Sequence, residues 1–445
     1  MTQRLLAPWF WLTLLTVLVG LPRLTLDLHL PALPAMADYF QTRDSQLQLV
    51  LTLYTLGSAI SLLVSGPLID RFGRRPVLLA GLTLYVLASA TCALADSLGV
   101  LIIARLFQAL GGCCTTVIGR VIVRDYFDRQ EQARMLGLIS MAMAVSPMVA
   151  PVLGSLLLPL MGWRGLFVLL GVTGALLCLV VQRRLPETRP PEVAAAPPAH
   201  LWRTYSHVLR DRYFLRYALA IGCVYSTYFP FISESSALLQ RGFHLSTTEY
   251  ALVFAATISG YLLGAHLFRR LVMRLEADRL IGAAIGLNVL GSVALAATTA
   301  AWPQAWLAIV LPMVVIMVSV GMAIPACQLS VLQPYGAIAG TVSGLFFFIQ
   351  MFLTALSSWA TGLLSDGTSQ PLVIMTALAS ALLVAGWLTL RKTQGGRELA
   401  GNSGGSVSLS SADPQPSGAS PLPPFYGAVS GQLGGQPVQA STFTH

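Results

Sequence analysis

Five ionisable side chains, Arg23, Asp27, Arg105, Arg120 and Glu234, interrupt stretches of sequence that are otherwise almost wholly apolar. Charged groups inside a membrane are costly and are functional candidates by default. The chemistry they offer is reversible protonation of a carboxylate beside an arginine. Arg23 and Asp27 are four residues apart, so on a helix they share one face. Counting about 1.5 Å per residue from Pro8 puts Arg23 roughly 22 Å and Asp27 roughly 28 Å along the first helix, with Arg105 roughly 10 Å down its own. The three can therefore meet. Asp27 then reads as a proton site tuned by Arg23 or Arg105, or else as a structural ion pair or a solvated aspartate at a helix end. Glu234, in FISESS at 231–236, is either an acid facing a cavity or a solvated glutamate at a helix end.

The elements that must position these groups follow from composition. Of 445 residues, 55% are hydrophobic and 10% charged, whereas a soluble chain carries about 25% charged residues. Lipid must cover much of such a surface. A membrane helix needs about 20 mostly apolar residues, and twelve candidates stand at 7–28, 46–68, 76–95, 98–122, 134–158, 163–182, 213–239, 247–271, 280–299, 305–327, 336–361 and 371–390. The expected fold class is therefore all-α integral membrane. The first run lacks a small-residue cleavage site and reads as an uncleaved span. The net charge of +9 does not indicate nucleic acid, because the arginines recur in short clusters between apolar runs. With the N-terminus taken as cytoplasmic, arginine clusters such as Arg71, Arg74 and Arg75 fall on the cytoplasmic side, and Arg43, Arg164 and Arg241 fall on the other. That asymmetry predicts two cytoplasmic termini.

The longest internal polar stretch, 183–212, divides the spans six and six, the pattern of two related bundles, 1–182 and 213–391, joined by a cytoplasmic linker. Beyond 392 the chain is rich in Gly, Ser and Pro, and 392–445 is expected to be a disordered cytoplasmic tail. All six cysteines lie in apolar runs, with no metal or disulfide spacing. There is no phosphate-binding G-x-x-x-x-G-K loop, and no cofactor, metal site or enzymatic activity is expected.

Two further patterns stand out. In the fourth run Arg105, Gln108, Gly112, Thr115 or Thr116, and Gly119 fall on one helical face. A polar face on a membrane helix points into protein or water, so it lines a cavity or packs against a small-residue seam. Gln350 and Thr354, four apart in the eleventh run, are also cavity candidates, as are Arg23 and Glu234. Tyr225, Tyr228 and Phe229, with Phe346, Phe347 and Phe348, form a cavity wall or face lipid. The second pattern is GPLIDRFGRRP at 66–76, between the second and third runs. Gly66 would permit close helix approach and Gly73 a tight turn. Asp70 could accept hydrogen bonds from the N-terminus of a neighbouring helix, and Arg71, Arg74 and Arg75 would hold the segment on the cytoplasmic side.

The 66–76 segment resembles the G-x-L-x-D-x-x-G-R-R/K signature of the major facilitator superfamily at every fixed position. The resemblance extends to DLHLPALP at 27–34, RLFQALGG at 105–112, RVIVRD at 120–125 and GWR at 162–164, which look like the drug:proton antiporter type of twelve helices, in its bicyclomycin/chloramphenicol-resistance (Bcr/CflA) branch. The segment with Pro147, Pro151 and Gly154 is similar to the antiporter motif G-P-x-x-G-G, with Ala150 and Ser155 in place of two glycines. The resemblance implies two six-helix bundles that rock about a central cavity, and a cytoplasmic gate of Gly66, Asp70, Arg71, Gly73, Arg74, Arg120, Arg124 and Asp125. It further implies proton-coupled export of amphipathic small molecules across a bacterial inner membrane by a monomer whose partners are substrate, protons and the bilayer. A dedicated exporter of one metabolite, such as an amino acid or siderophore, is the alternative. A non-transporting sensor fits the embedded Asp27 and Arg105 less well.

Overall fold

The computed structural model describes residues 8–188 and 201–390, and the elements among them are helical, without strands. This is what lipid demands, since no water is present to satisfy backbone groups that a helix would leave unpaired. In the first half lie α1 (Pro8–Asp27), α2 (Leu33–Tyr39), α3 (Asp44–Leu47), α4 (Leu49–Phe72), α5 (Arg74–Ala93), α6 (Leu98–Tyr126) and α7 (Arg129–Arg184). After a connecting helix, α8 (Leu201–Arg210), the second half contains α9 (Arg212–Ala237), α10 (Thr247–Leu271), α11 (Ala277–Ala301), α12 (Leu307–Leu332), α13 (Ala339–Leu364) and α14 (Gln370–Thr389). The Pro/Ala run 190–199 and the segment 392–445, expected as a disordered tail, lie outside the described residues.

Ten helical stretches among the described residues are long and apolar enough to cross a membrane. One of them, Arg134–Arg184, has 51 residues, about 75 Å of helix and more than twice the hydrocarbon thickness. It is broken at Gly162, whose φ of +66° is non-helical, and so crosses twice. The tyrosines, serines and Glu234 of α9 keep it out of the ten, yet it has 26 residues and is the hub of the second half, packed on α12, α13 and α14. The count is then twelve. Large apolar side chains such as Leu160, Leu363 and Val172 point outward, more than half exposed, as suits a lipid-facing surface.

Within the first half α6 packs on α4 and α5, and α1 packs on α6 and α7; the two halves meet along α4 with α13 and along α7 with α10. The seam between α7 and α1 is tight at Gly154. A Cβ there would lie 2.0 Å from the carbonyl oxygen of Leu28, which is backbone and cannot rotate away. Gly154→Ala is expected to lower stability by about 1–3 kcal/mol, as overpacking does. Gly66→Ala, with nothing within 4 Å of the added carbon, should be neutral or slightly stabilising. Thermal unfolding of the detergent-solubilised protein checks the pair, and equal melting temperatures would rule out the seam as described.

The open space at Gly66 corrects the expectation of close helix approach there. The segment is also less of a loop than its composition suggests. Helix α4 continues through Pro67 to Phe72, Gly73 alone turns the chain at φ +96°, and α5 starts at Arg74. Nor does Asp70 cap a neighbouring helix. It is 62% exposed and lies 3.6 Å from Arg74. Glu187, at the end of the first half, caps α5 instead, accepting hydrogen bonds from the backbone N–H of Arg74 at 2.9 Å and of Arg75 at 3.1 Å. A carboxylate satisfies the orphan donors of a helix start and complements its dipole.

Candidate functional site

The site is built around the second half of α1. Pro22 lies inside that helix and has no N–H to give the carbonyl of Leu18. The Thr115 hydroxyl of α6 donates to Leu18 O at 2.6 Å, Thr116 donates to Val19 O at 3.1 Å, and Tyr54 of α4 donates to Pro22 O at 2.7 Å. These bonds compensate the proline break and fix α1 against its neighbours. They also mean that the two threonines of the α6 stripe face α1 rather than a cavity.

Arg23 and Asp27 lie one turn apart, with Arg23 Nε 2.8 Å from Asp27 Oδ2. Asp27 is fully enclosed, and neither of its oxygens has an aligned hydrogen-bond donor. Arg23 retains 17% of its side-chain exposure and lies within electrostatic reach of Tyr225 and Tyr228 of α9, whose rings are 5.0 Å apart. The pair therefore stands where the two halves face each other.

Arg105 is not part of it. Its guanidinium is wholly buried. Nη1 donates to Gln108 Oε1 at 2.6 Å and to Thr25 O at 3.4 Å, Nη2 donates to His29 Nε2 at 3.3 Å, and Cζ lies over the Tyr54 ring, 4.2 Å from its centre. His29 Nδ1 faces Thr25 O at 3.2 Å. A carbonyl can only accept, so Nδ1 carries the proton and Nε2 is free to accept from Arg105, which makes the imidazole neutral. Gln108 is enclosed too and donates to Ser89 Oγ at 2.8 Å. The cavity position expected of Gln108 is thus an interior one in this structure. The sequence reading missed His29, although it follows Thr25 by four residues at the end of α1, a spacing that puts both on one face, turned away from that of Asp27.

Glu234 is not a solvated helix end. It is 1% exposed, and Gln48, preceding α4, donates to its Oε1 at 2.5 Å. This bond joins the two halves, and others surround it. Thr52 and Ser358 hydroxyls meet at 2.9 Å, Ser236 donates to Leu30 O at 2.7 Å, and Arg241 pairs with Asp38 at 2.5 Å and Asp44 at 3.2 Å. All lie at the arginine-poor end of the bundle. Gln350 and Thr354 of α13 are buried, Thr354 donating to Gln350 O at 2.7 Å, while Gln350 Oε1 has no partner. Of the aromatics, Tyr228, Phe229 and Phe346 are buried, and Tyr225, Phe347 and Phe348 are half-buried.

At the arginine-rich end Arg74 is buried and donates to Asp125 Oδ2 at 3.0 Å and to Ile69 O at 3.3 Å. Arg124 is 66% exposed, 3.8 Å from the same carboxylate. Arg71 is exposed over Phe72. Arg120 stands apart from this cluster. It is exposed and points at Met143 of α7, 3.6 Å from the sulfur. Pro147 and Pro151 lie inside α7, next to the Gly154 seam.

Comparison with known proteins places these features in a lineage. The family model described as Major Facilitator Superfamily matches residues 12–358. A chloramphenicol resistance protein of Pseudomonas aeruginosa is 30% identical over 379 residues, 85% of this chain and 89% of that one. The multidrug resistance protein MdtL of Escherichia coli is 31% identical over 232 residues, 52% of this chain and 59% of its own length. Among solved structures, the D-xylose-proton symporter superposes with a TM-score of 0.66 at 16% identity, covering 85% of this chain and 97% of that one, a likeness of fold.

Proposed function

The chain belongs to the major facilitator superfamily, and from that premise we propose that it exports amphipathic small molecules across a bacterial inner membrane in exchange for protons. The observation that carries this reading is Asp27, a carboxyl enclosed at the interface of the two halves with an arginine 2.8 Å away. A coupling acid must be reachable from one side at a time, and it must have a reason to lose its proton when the other ligand arrives. Arg23 bears on the second condition, since its guanidinium, 2.8 Å away, can pair with the carboxylate that remains when the proton leaves. The names of the relatives, resistance to chloramphenicol and to several drugs, support export of amphipathic compounds.

In this reading the bundles 1–182 and 213–391 rock about the cavity, with 183–212 as the cytoplasmic linker. The arginine-rich end is cytoplasmic, by the positive-inside rule. The bonds around Glu234, Thr52 and Arg241 then seal the periplasmic side. Arg74 and Asp125 brace the cytoplasmic gate within the first bundle, Glu187 of the linker caps α5 beside them, and the transporter works as a monomer.

The test is transport. Everted vesicles containing the protein are expected to accumulate chloramphenicol when acid inside, and to lose it when a protonophore collapses the pH gradient. Uptake equal to that of protein-free vesicles across a panel of neutral and charged drugs would sink the reading.

A further inference from the structure

Asp27 shares its surroundings with an unusual density of phenol rings. Tyr225 and Tyr228 lie near the Arg23 guanidinium, and Tyr261 of α10 lies within electrostatic reach of both Tyr225 and Arg23. A buried carboxylate with aromatic side chains close by is a setting in which proteins bind organic cations, since rings and carboxylate both attract positive charge. Here that arrangement is already filled. Arg23 Nε faces the Asp27 carboxylate at 2.8 Å, so the chain supplies its own cation.

Accessibility points the same way. Asp27 is fully enclosed and Glu234 nearly so, whereas Arg23 keeps 17% of its side-chain exposure. Arg120 is exposed as well. It follows Gly119, whose face meets Val19 and Leu15 of α1, one to two turns from Arg23 toward the arginine-rich end. A molecule moving from that end toward the interface would meet the guanidinium groups of Arg120 and Arg23 before it met the enclosed Asp27. A cation would have to displace Arg23 from Asp27 and leave a second positive charge beside it. An uncharged molecule would face neither requirement.

We propose that Arg23 is a specificity-determining residue that fills an aromatic, acid-backed cation site, so that the transporter takes uncharged amphipathic molecules and excludes lipophilic cations. The inference rests on the reading that the interface between the halves is the substrate cavity. It predicts that Arg23→Gln vacates the site for an external cation, with Asp27 as its counter-charge.

The test is binding to the purified full-length protein in detergent at alkaline pH. The probes are tetraphenylphosphonium and, as its uncharged counterpart, triphenylphosphine oxide. Wild type should bind the cation at least about tenfold more weakly than the uncharged probe. Arg23→Gln should raise the cation's affinity relative to that of the uncharged probe by about tenfold or more. The double variant Arg23→Gln, Asp27→Asn should lose the gain. Wild type binding both probes equally well, a single variant without gain, or a double variant that keeps it would each overturn the proposal. Should Arg23→Gln fail to elute as a folded monomer, the wild-type comparison decides alone. No arm reads a pH gradient, so failure of this inference and failure of proton coupling are told apart.

Discussion

Asp27→Asn is expected to reduce pH-gradient-driven uptake in everted vesicles to the level of protein-free vesicles, and to remove the pH dependence of substrate binding that the acid confers. Asparagine has the shape of aspartate and cannot ionise, so it mimics the protonated acid permanently. An antiporter frozen in that state has no proton to exchange for substrate, so it cannot use a proton gradient for net movement. The substitution leaves Arg23 without its carboxylate. Losing one partner of a fully buried pair costs about 3–5 kcal/mol, but Arg23 keeps 17% of its exposure and can be hydrated. The melting temperature should therefore fall only modestly, and a folded variant is the expected background for the transport measurement. Glu234→Gln is the matched control. Its carboxylate contacts Gln48 across the two halves, and an amide can keep that contact by offering its own carbonyl, so gradient-driven uptake should persist. If Asp27→Asn retains wild-type uptake and Glu234→Gln abolishes it, the coupling acid is Glu234.

What was legible in the sequence is what local rules govern. The apolar runs, the turn at Gly73 and the pairing of Arg23 with Asp27 each depend on residues close together in the chain, and the structure has them where the local pattern puts them. What was not legible depends on partners far along the chain. Glu187 caps α5 from over a hundred residues away, so Asp70, adjacent in sequence, looked like the better acceptor. Gln48 buries Glu234 from the other half of the molecule, and in the sequence Glu234 stands among serines near the end of a run, which reads equally as a solvated end. Arg105 reached toward Asp27 in a depth count that fixes height in the membrane but not rotation about the helix axis. Rotation is set by the packing of α6 on α1, and there it brings the guanidinium to His29 instead. Gly66 shows the converse: the residue matches its motif, but the space around it is empty, so close approach is not its role in this structure.

Arg105→Met is expected to stop transport with little effect on stability, an outcome that would separate the two roles a buried arginine can have. The guanidinium is wholly enclosed, its Nε has no hydrogen-bond partner, and no carboxylate is paired with it among the described ion pairs. Its charge is balanced by dipoles alone, namely Gln108, Thr25 O, His29 and the Tyr54 ring. Enclosing an ion costs several kcal/mol even after relaxation, and methionine removes that cost while filling similar volume. Against this stand the acceptors it abandons, Gln108 Oε1 and His29 Nε2, at about 1–3 kcal/mol each. The two effects are of similar size and opposite sign, so the net change should lie within about 2 kcal/mol of zero. Arg105→Lys should be the less stable variant. It keeps the charge, is more strongly hydrated than a guanidinium, and has no planar fork to reach Gln108, Thr25 and His29 together or to lie on Tyr54. Transport should fail in both. Thr25 and His29 flank Asp27 in the chain, two residues to either side, and Arg105 holds both. Without that grip the end of α1 can turn, and Asp27 loses its register with Arg23. Wild-type uptake by the methionine variant would reduce Arg105 to a space-filling residue. A loss of stability beyond about 3 kcal/mol would mean that the hydrogen bonds of this network outweigh the desolvation of its charge.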